Sequence, residues 1–461
     1  MASARSSLGY LKPYRRTLYS GVGMLVATNV CYLGVAEFQG RGLQALVERR
    51  TDDVLAPVLL LLGFAIVTAL TRIASRVWIF NAARAAEYDL RSELFGHLMT
   101  LSPGYYRDHS TGDVMSRLTN DVQTVRAMWG AGAVHLANAV TSFATVLTWM
   151  MLRDARVALL AILPYPLIFF VGQALSKRIY RTTREVQAEL GTLSSRIQED
   201  LGAIQVIKTY GLEEVRRAGF LEGSRRLLHK NMEAAKVRIQ LGPILNTLAP
   251  LGIAILILVG GRAVIHGDIN VGEYSAFAAL LARLVWPTLT LGFMLALVQR
   301  GRASWSRLVQ LQETQSDIVD RAEPPLPQTA LPAHVEVKDL SIQIGTRTIL
   351  DHVSFELRPG SVTAIVGRTG SGKSTLVEAL CRLIRVPDGA IFIDGRDITS
   401  IPLASLRAQV GYAPQEAFLF STTIADNIAM GYGGGTALPR ARGQELEKLG
   451  ALPTGIAPEA F

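Results

Sequence analysis

Eight consecutive residues, Gly367-Arg368-Thr369-Gly370-Ser371-Gly372-Lys373-Ser374, fit the spacing GxxxxGK[ST]. This order of residue types wraps backbone around a polyphosphate. The glycines let successive N–H groups converge on phosphate oxygens, where a side chain would block the approach. A helix starting at the lysine adds the partial positive charge of its N-terminus. Lys373 is placed to neutralise β- and γ-phosphates, the Ser374 hydroxyl to ligate Mg²⁺, and Thr375 to assist at the α-phosphate. The pattern alone arises by chance, so its setting matters. The apolar run SVTAIVG (Ser361–Gly367) is expected to be a buried strand leading in, and KSTLVEALCRLI a helix leading out.

The rest of the chain must position that loop, and its composition is unlike that of a water-soluble enzyme. Hydrophobic residues make up 49% of the 461 residues and charged residues only 18%. That balance calls for several membrane spans. The net charge is +9, but the lysines and arginines flank apolar runs. Cytosolic loops of a membrane protein account for them better than nucleic acid does, and no nucleic-acid partner is expected. Only Cys31 and Cys381 are present, far apart, which excludes a disulfide framework. Lys12, Arg15 and Arg16 precede an apolar run in the manner of a signal peptide, but the run continues past Tyr32 with no small-residue cleavage site, so it reads as a retained span.

Six runs have the length and apolarity of a span: Leu18–Phe38, Val54–Trp78, Val134–Leu152, Val157–Leu175, Ile244–Ile265 and Tyr274–Val298. Arg72, Arg76, Arg262 and Arg283 lie near their ends or on one face. A charge in mid-bilayer costs roughly 2.5–3.5 kcal/mol, so these arginines should face the protein interior or reach for the interface. Links after the first, third and fifth spans are short, while those after the second and fourth are long and basic, which puts the long links in the cytosol. From Arg72 to Leu101 there is no proline and one glycine, and Leu90, Leu94 and Leu98 recur at helical spacing. Such a stretch reaches on the order of 45 Å, so the helices should project beyond the bilayer as stalks. SPGYYRDHSTGD (Ser102–Asp113) and the region Leu201–Val215 supply the turns. The proline-rich stretch 321–334 reads as a linker after a membrane domain of residues 1–320. VEVKDLSIQI and VSFEL then alternate as strands of a soluble α/β domain over residues 335–431.

With the loop in place, LRAQVGYAPQEAFLFSTTIADNIAMG (Leu406–Gly431) completes a resemblance to the nucleotide-binding domain of ABC transporters. The resemblance implies that Gln415 is the Q-loop glutamine beside Mg²⁺ and the attacking water. YYRDHSTGDVMSRLTNDVQTVR (Tyr105–Arg126) and GAIQVIKTYGLEE (Gly202–Glu214) are similar to the two coupling regions of ABC exporters. The implied fold is multi-domain: an all-α six-helix transmembrane domain followed by a truncated α/β P-loop NTPase domain. The implied partners are ATP, Mg²⁺, a lipid bilayer, a small amphipathic substrate and a second half-transporter, identical or not. A bacterial inner membrane is the expected location, with the N-terminus and the ATPase domain in the cytoplasm. The family's aromatic base-stacking position falls on Ile344, which can cover a base but has no π face.

Other family motifs are missing. No LSGGQ occurs, and no histidine follows His352 to act as the switch. AIFIDG (Ala390–Gly395) imitates an acidic strand end, yet Gly395 stands where a catalytic glutamate should follow; a strand ending in an Asp-Gly turn reads better. Residues 432–461 read as an irregular tail. The expectation is therefore a chain that binds nucleotide, lacks catalytic residues and represents a shortened domain. A non-catalytic membrane subunit pairing with a complete half-transporter is the alternative. Tyr105 and Tyr106 read as packing contacts at a domain joint and His109 as a turn residue. Pro287 is expected to kink the sixth span. Asn29 and Glu37 are weak candidates for a substrate path, and Phe277, Phe293, Met294, Trp149 and Met150 for a greasy cavity.

Overall fold

The computed structural model describes residues 6–320, 333–415 and 418–429. The chain divides into two compact units. The first takes in Met1–Leu98 and Gly112–Glu313, the second Met99–Thr111 and Thr314–Phe461.

The first unit is built of long helical rods. They are α1 (Arg15–Val47) and α2 (Leu55–Thr100), with the short α3 (Pro103–Asp108) following in the other unit. A third rod joins α4 (Thr111–Ser116), α5 (Val122–Ala127) and α6 (Ala133–Arg153) through two π-helical turns. The fourth is α7 (Ala155–Ile162) with α8 (Pro164–Gly202), and α9 (Ile204–Tyr210) turns the chain. The fifth runs from α10 (Glu213–Ile255) into α11 (Gly261–His266), and the sixth is α12 (Val271–Glu313). Among the described residues five rods are long and apolar enough to cross a membrane, and the fifth in sequence contributes the shorter apolar stretch Pro250–His266.

Local chemistry sets the rod ends. Asp154 caps α7 by accepting from the N–H groups of Arg156 and Val157 at 2.8 and 2.9 Å. Gly211 ends α9 with φ 63°, the left-handed conformation that stops a helix. Within the unit Leu90, Leu94 and Leu98 are all buried, as their spacing predicts. Phe277 and Met150 are fully buried, and Trp149 meets Phe277 edge-on at 5.7 Å, so these residues pack a core rather than line a cavity. Met294 is half-buried, and the Phe293 side chain lies outside the described residues. α12 runs unbroken through Pro287. Of the four span arginines Arg283 turns inward, while Arg72, Arg76 and Arg262 are exposed. Tyr10, near the N-terminus, is buried against Trp129 and Trp305 and accepts from the Gln312 amide at 2.8 Å.

The second unit holds a four-stranded antiparallel sheet in the order β2-β1-β3-β4, from β1 (Val335–Ile344), β2 (Arg347–Leu357), β3 (Ile391–Ile393) and β4 (Arg396–Asp397). Among the described residues α13 (Lys373–Leu380), α14 (Leu403–Arg407) and α15 (Ile424–Ala429) follow in the same unit, which α3 also joins. Val337, Leu340, Ile342 and Leu350 of the sheet pack with Leu376, Ala379 and Leu406 of the helices. Most of the expected linker and all of the 432–461 tail fall outside the described residues.

One expectation needs correction. SVTAIVG is not a buried strand: residues 361–367 carry no strand pairing and are exposed, Val362 and Val366 most of all. A run of this kind is buried only between parallel neighbours on both edges. Among the described residues every strand pairing is antiparallel and none flanks it.

Candidate functional site: a phosphate cradle at the start of α13

The loop 367–372 turns tightly before the helix. Gly370 and Gly372 have φ of 82° and 88°, a region open to glycine and costly for other residues. At Gly372 a Cβ would also approach Leu350 Cδ2 to 2.7 Å, so the β2 side chain and the loop leave no room there. The Ser371 N–H donates to the Arg368 carbonyl at 3.1 Å, and the first bond of α13 runs from Leu376 N–H to Gly372 O at 2.9 Å. The N–H groups of Lys373, Ser374 and Thr375 therefore form the open first turn of the helix. Lys373 Nζ donates to the carbonyls of Gly367 and Arg368, each at 2.9 Å, which folds the ammonium back over the loop. Ser374 is exposed beside it and Thr375 half-buried. A tight loop turned by two left-handed glycines, a lysine curled over it and a helix N-terminus beside it fit a polyphosphate.

The other expected site residues are placed separately. Ile344 ends β1, opposite Arg347, and is 41% exposed. Gln415 lies on an exposed segment between α14 and α15, and among the described residues no hydrogen bond ties it to the loop. Asp394 and Gly395 have φ of 48° and 76° and form a two-residue hairpin in which Phe392 pairs with Asp397 and Ile393 with Arg396. Both positive φ values mark the turn type that Asp-Gly favours. Asp394 Oδ1 accepts from the His334 N–H at 2.8 Å, so the carboxylate serves the turn.

The second unit also contains the turn between the second and third rods, and here the structure goes beyond the sequence. Tyr105 is buried, stacked on His109 at 4.2 Å between ring centroids and edge-on to Tyr106 at 5.3 Å. His109 follows α3, its ring nitrogen Nδ1 3.0 Å from the Tyr105 carbonyl. Arg107 Nη1 meets Glu378 Oε2 at 3.3 Å, which joins the turn to the helix that carries Lys373 and Ser374. No local pattern marks Arg107 and Glu378 as partners. The buried Arg382, donating to the carbonyls of Ile398 and Ile401 at 2.9 and 2.7 Å, was equally hidden.

Against known families, the ABC transporter transmembrane region matches residues 20–288 and the ABC transporter domain residues 350–452. The chain belongs to the ABC transporter family. Its long apolar helices followed by a small sheet-containing nucleotide-binding part are the exporter form of that family's fold. This transporter chain is 31% identical to the probable multidrug resistance ABC transporter ATP-binding/permease protein YheI of Bacillus subtilis (strain 168), over 94% of the chain and 74% of that protein. It is 29% identical to the multidrug resistance-like ATP-binding protein MdlA of Escherichia coli (strain K12), over 97% of the chain and 75% of that protein. An ATP-dependent lipid A-core flippase of Syntrophus aciditrophicus (strain SB) is 28% identical over 74% of the chain and 57% of its own length. The chain is thus an integral membrane protein of an ATP-binding transporter family.

Proposed function

We propose that the chain is one half of a two-chain exporter that couples ATP and Mg²⁺ to outward movement of small amphipathic molecules across a bacterial plasma membrane. The membrane part is residues 1–320 and the nucleotide part residues 335–431, the latter in the cytoplasm with the N-terminus. The names of the relatives, multidrug and lipid exporters, favour such cargo. The N–H groups of Gly367, Arg368, Thr369, Gly370, Ser371 and Gly372 take the phosphates, with Lys373 neutralising them. Ser374 and Gln415 hold Mg²⁺, Thr375 touches the α-phosphate, and Ile344 covers the base. The observation that carries this reading is the Arg107–Glu378 bridge, because it links the turn of the membrane helices to the phosphate-binding helix. A nucleotide that shifts α13 then shifts the turn, and transport follows from the different affinities of ATP for the two states.

Among the described residues the one acidic strand end that imitates the catalytic motif, Asp394-Gly395, is a hairpin turn and carries no following glutamate. The 461-residue chain is therefore expected to bind nucleotide without turnover. That same hairpin favours the second reading, a non-catalytic subunit beside a complete half-transporter. The test is a titration of the purified chain with a fluorescent ATP analogue, together with an ATPase assay. Lys373→Ala should weaken binding about tenfold or more, the factor of one lost charge-assisted contact. Hydrolysis should stay at background; turnover sensitive to Lys373→Ala would overturn the non-hydrolytic reading. A second half-transporter that co-purifies in stoichiometric amount would select the subunit reading.

A further inference from the structure

Arg283 sits nine residues into the apolar run Tyr274–Val298, and among the described residues no opposite charge balances it. Its Nη2 donates to Asn29 Oδ1 at 3.0 Å, and its guanidinium lies 3.6 Å from the centroid of the Tyr32 ring. Asn29 itself is buried on α1 and fixed by partners on α6 and α12. Its amide nitrogen donates to Thr141 Oγ1 at 2.8 Å, and its oxygen accepts from Ser142 Oγ at 2.8 Å. The oxygen therefore has to face Arg283, and every partner it could offer is neutral. Among the described residues no carboxylate comes within ion-pair distance of Arg283. Glu37 of α1 and Glu273 of α12, on the same two helices, are engaged by Arg41 and Arg153 instead. Arg72 of α2 adds charge of the same sign. Arg283, Tyr32 and Thr141 are only half-buried, so the guanidinium's other N–H groups face accessible space.

An arginine kept within an apolar span and left without a counter-charge is arranged for one that arrives from outside. We propose that Arg283 and Asn29, with Tyr32 beside them, bind the anionic head of an amphipathic molecule. This inference rests on the export reading, whose cargo class it names. The apolar tail would lie among the surrounding membrane helices, and the head would pair with the planar guanidinium.

The experiment uses the purified 461-residue chain in phosphatidylcholine nanodiscs, titrated with a dansyl-labelled undecanoate and with its uncharged primary amide. Empty discs give the background. The carboxylate should bind about tenfold tighter than the amide, as one charge-assisted contact provides. Arg283→Gln should bring the two probes to the same affinity. Asn29→Asp guards against a simple folding failure, because it supplies the counter-charge internally and should abolish the preference while keeping the helices joined. Equal affinities in the parent chain, or a preference that survives both substitutions, would overturn the proposal. Doping the discs with phosphatidylglycerol separates the sources: competition assigns the site to anionic phospholipid, and its absence to single-chain amphiphiles. The fluorescent nucleotide titration on the same samples keeps the two readings apart. Lys373-dependent nucleotide binding without an anion preference removes only this inference, whereas the reverse result removes the nucleotide reading alone.

Discussion

The turn between the second and third rods and the turn between the fourth and fifth have similar ingredients, a glycine, an aromatic residue and a basic residue, yet their surroundings differ. In the first, Tyr105 is 9% exposed and Arg107 reaches Glu378, 271 residues further along the chain. The third rod that follows is held by Asp121, which Arg307 of α12 engages through two of its nitrogens, one of them at 2.9 Å. In the second turn Tyr210 is 73% exposed, Ile204, Val206 and Leu212 are exposed as well, and only Ile207 is buried. Its ion pairs are local: Arg216 binds Asp200 and Glu199 of the adjoining helix, and Lys208 binds Glu213. The first turn is thus part of a folded unit, whereas the second offers apolar side chains with only local support. Under the proposed two-chain arrangement, a partner chain gives those side chains something to meet.

The sharpest break of this contrast is a matched truncation. Tyr105→Ala removes a buried aromatic ring and should destabilise the chain by about 3 kcal/mol. Tyr210→Ala removes an exposed one and should change stability by less than about 0.5 kcal/mol. Melting followed by tryptophan fluorescence in detergent should show a fall of several degrees for the first and none for the second. Equal shifts would mean that the two turns are equally packed.

Next in size is the Asp121–Arg307 pair. Burial pushes the Asp121 carboxyl up, but hydrogen bonds from Arg307 and Ser304 outweigh it and hold the group below its ordinary value. A carboxylate depressed in the folded state stabilises above its unfolded pKa, near 4, and loses that contribution as pH falls through the lowered folded value. Asp121→Asn should therefore cost about 1–3 kcal/mol at neutral pH, less than a fully buried pair because Arg307 is half exposed. The gap in melting temperature between the variant and the parent should stay constant down to about pH 4 and close below it. A gap that opens on acidification would reverse the sign of the argument.

Much of this was legible in the sequence because the deciding interactions are local. The spacing of Gly367 to Ser374 prescribes a tight turn, Leu90, Leu94 and Leu98 trace one helix face, and Asp394-Gly395 specifies a hairpin. Where a residue's environment is set by distant chain, the reading stopped. SVTAIVG has the composition of a buried strand, but burial depends on neighbouring strands that the run does not itself encode. Asn29 could be singled out only as a candidate for a substrate path; its links to Thr141, Ser142 and Arg283 join three helices. Glu378 carries no local signal of its partner, Arg107, which lies 271 residues earlier in the chain.

The smallest effect bears most directly on the coupling proposal. Arg107 and Glu378 are both partly exposed, with side chains 45% and 29% accessible, so solvent screens their attraction. A double-mutant cycle with Arg107→Ala and Glu378→Ala should give a coupling of about 0.3–1 kcal/mol, and the same cycle on the more exposed Lys208–Glu213 pair about zero. So weak a bridge contributes little to holding the fold. It can still transmit a shift of α13, because transmission needs only a contact whose strength differs between two states. If it does, the Arg107–Glu378 coupling measured with saturating nucleotide should differ from the coupling measured without it, while the Lys208–Glu213 value stays fixed. An Arg107–Glu378 coupling indifferent to nucleotide would leave the first turn attached to α13 but reporting nothing of what α13 binds.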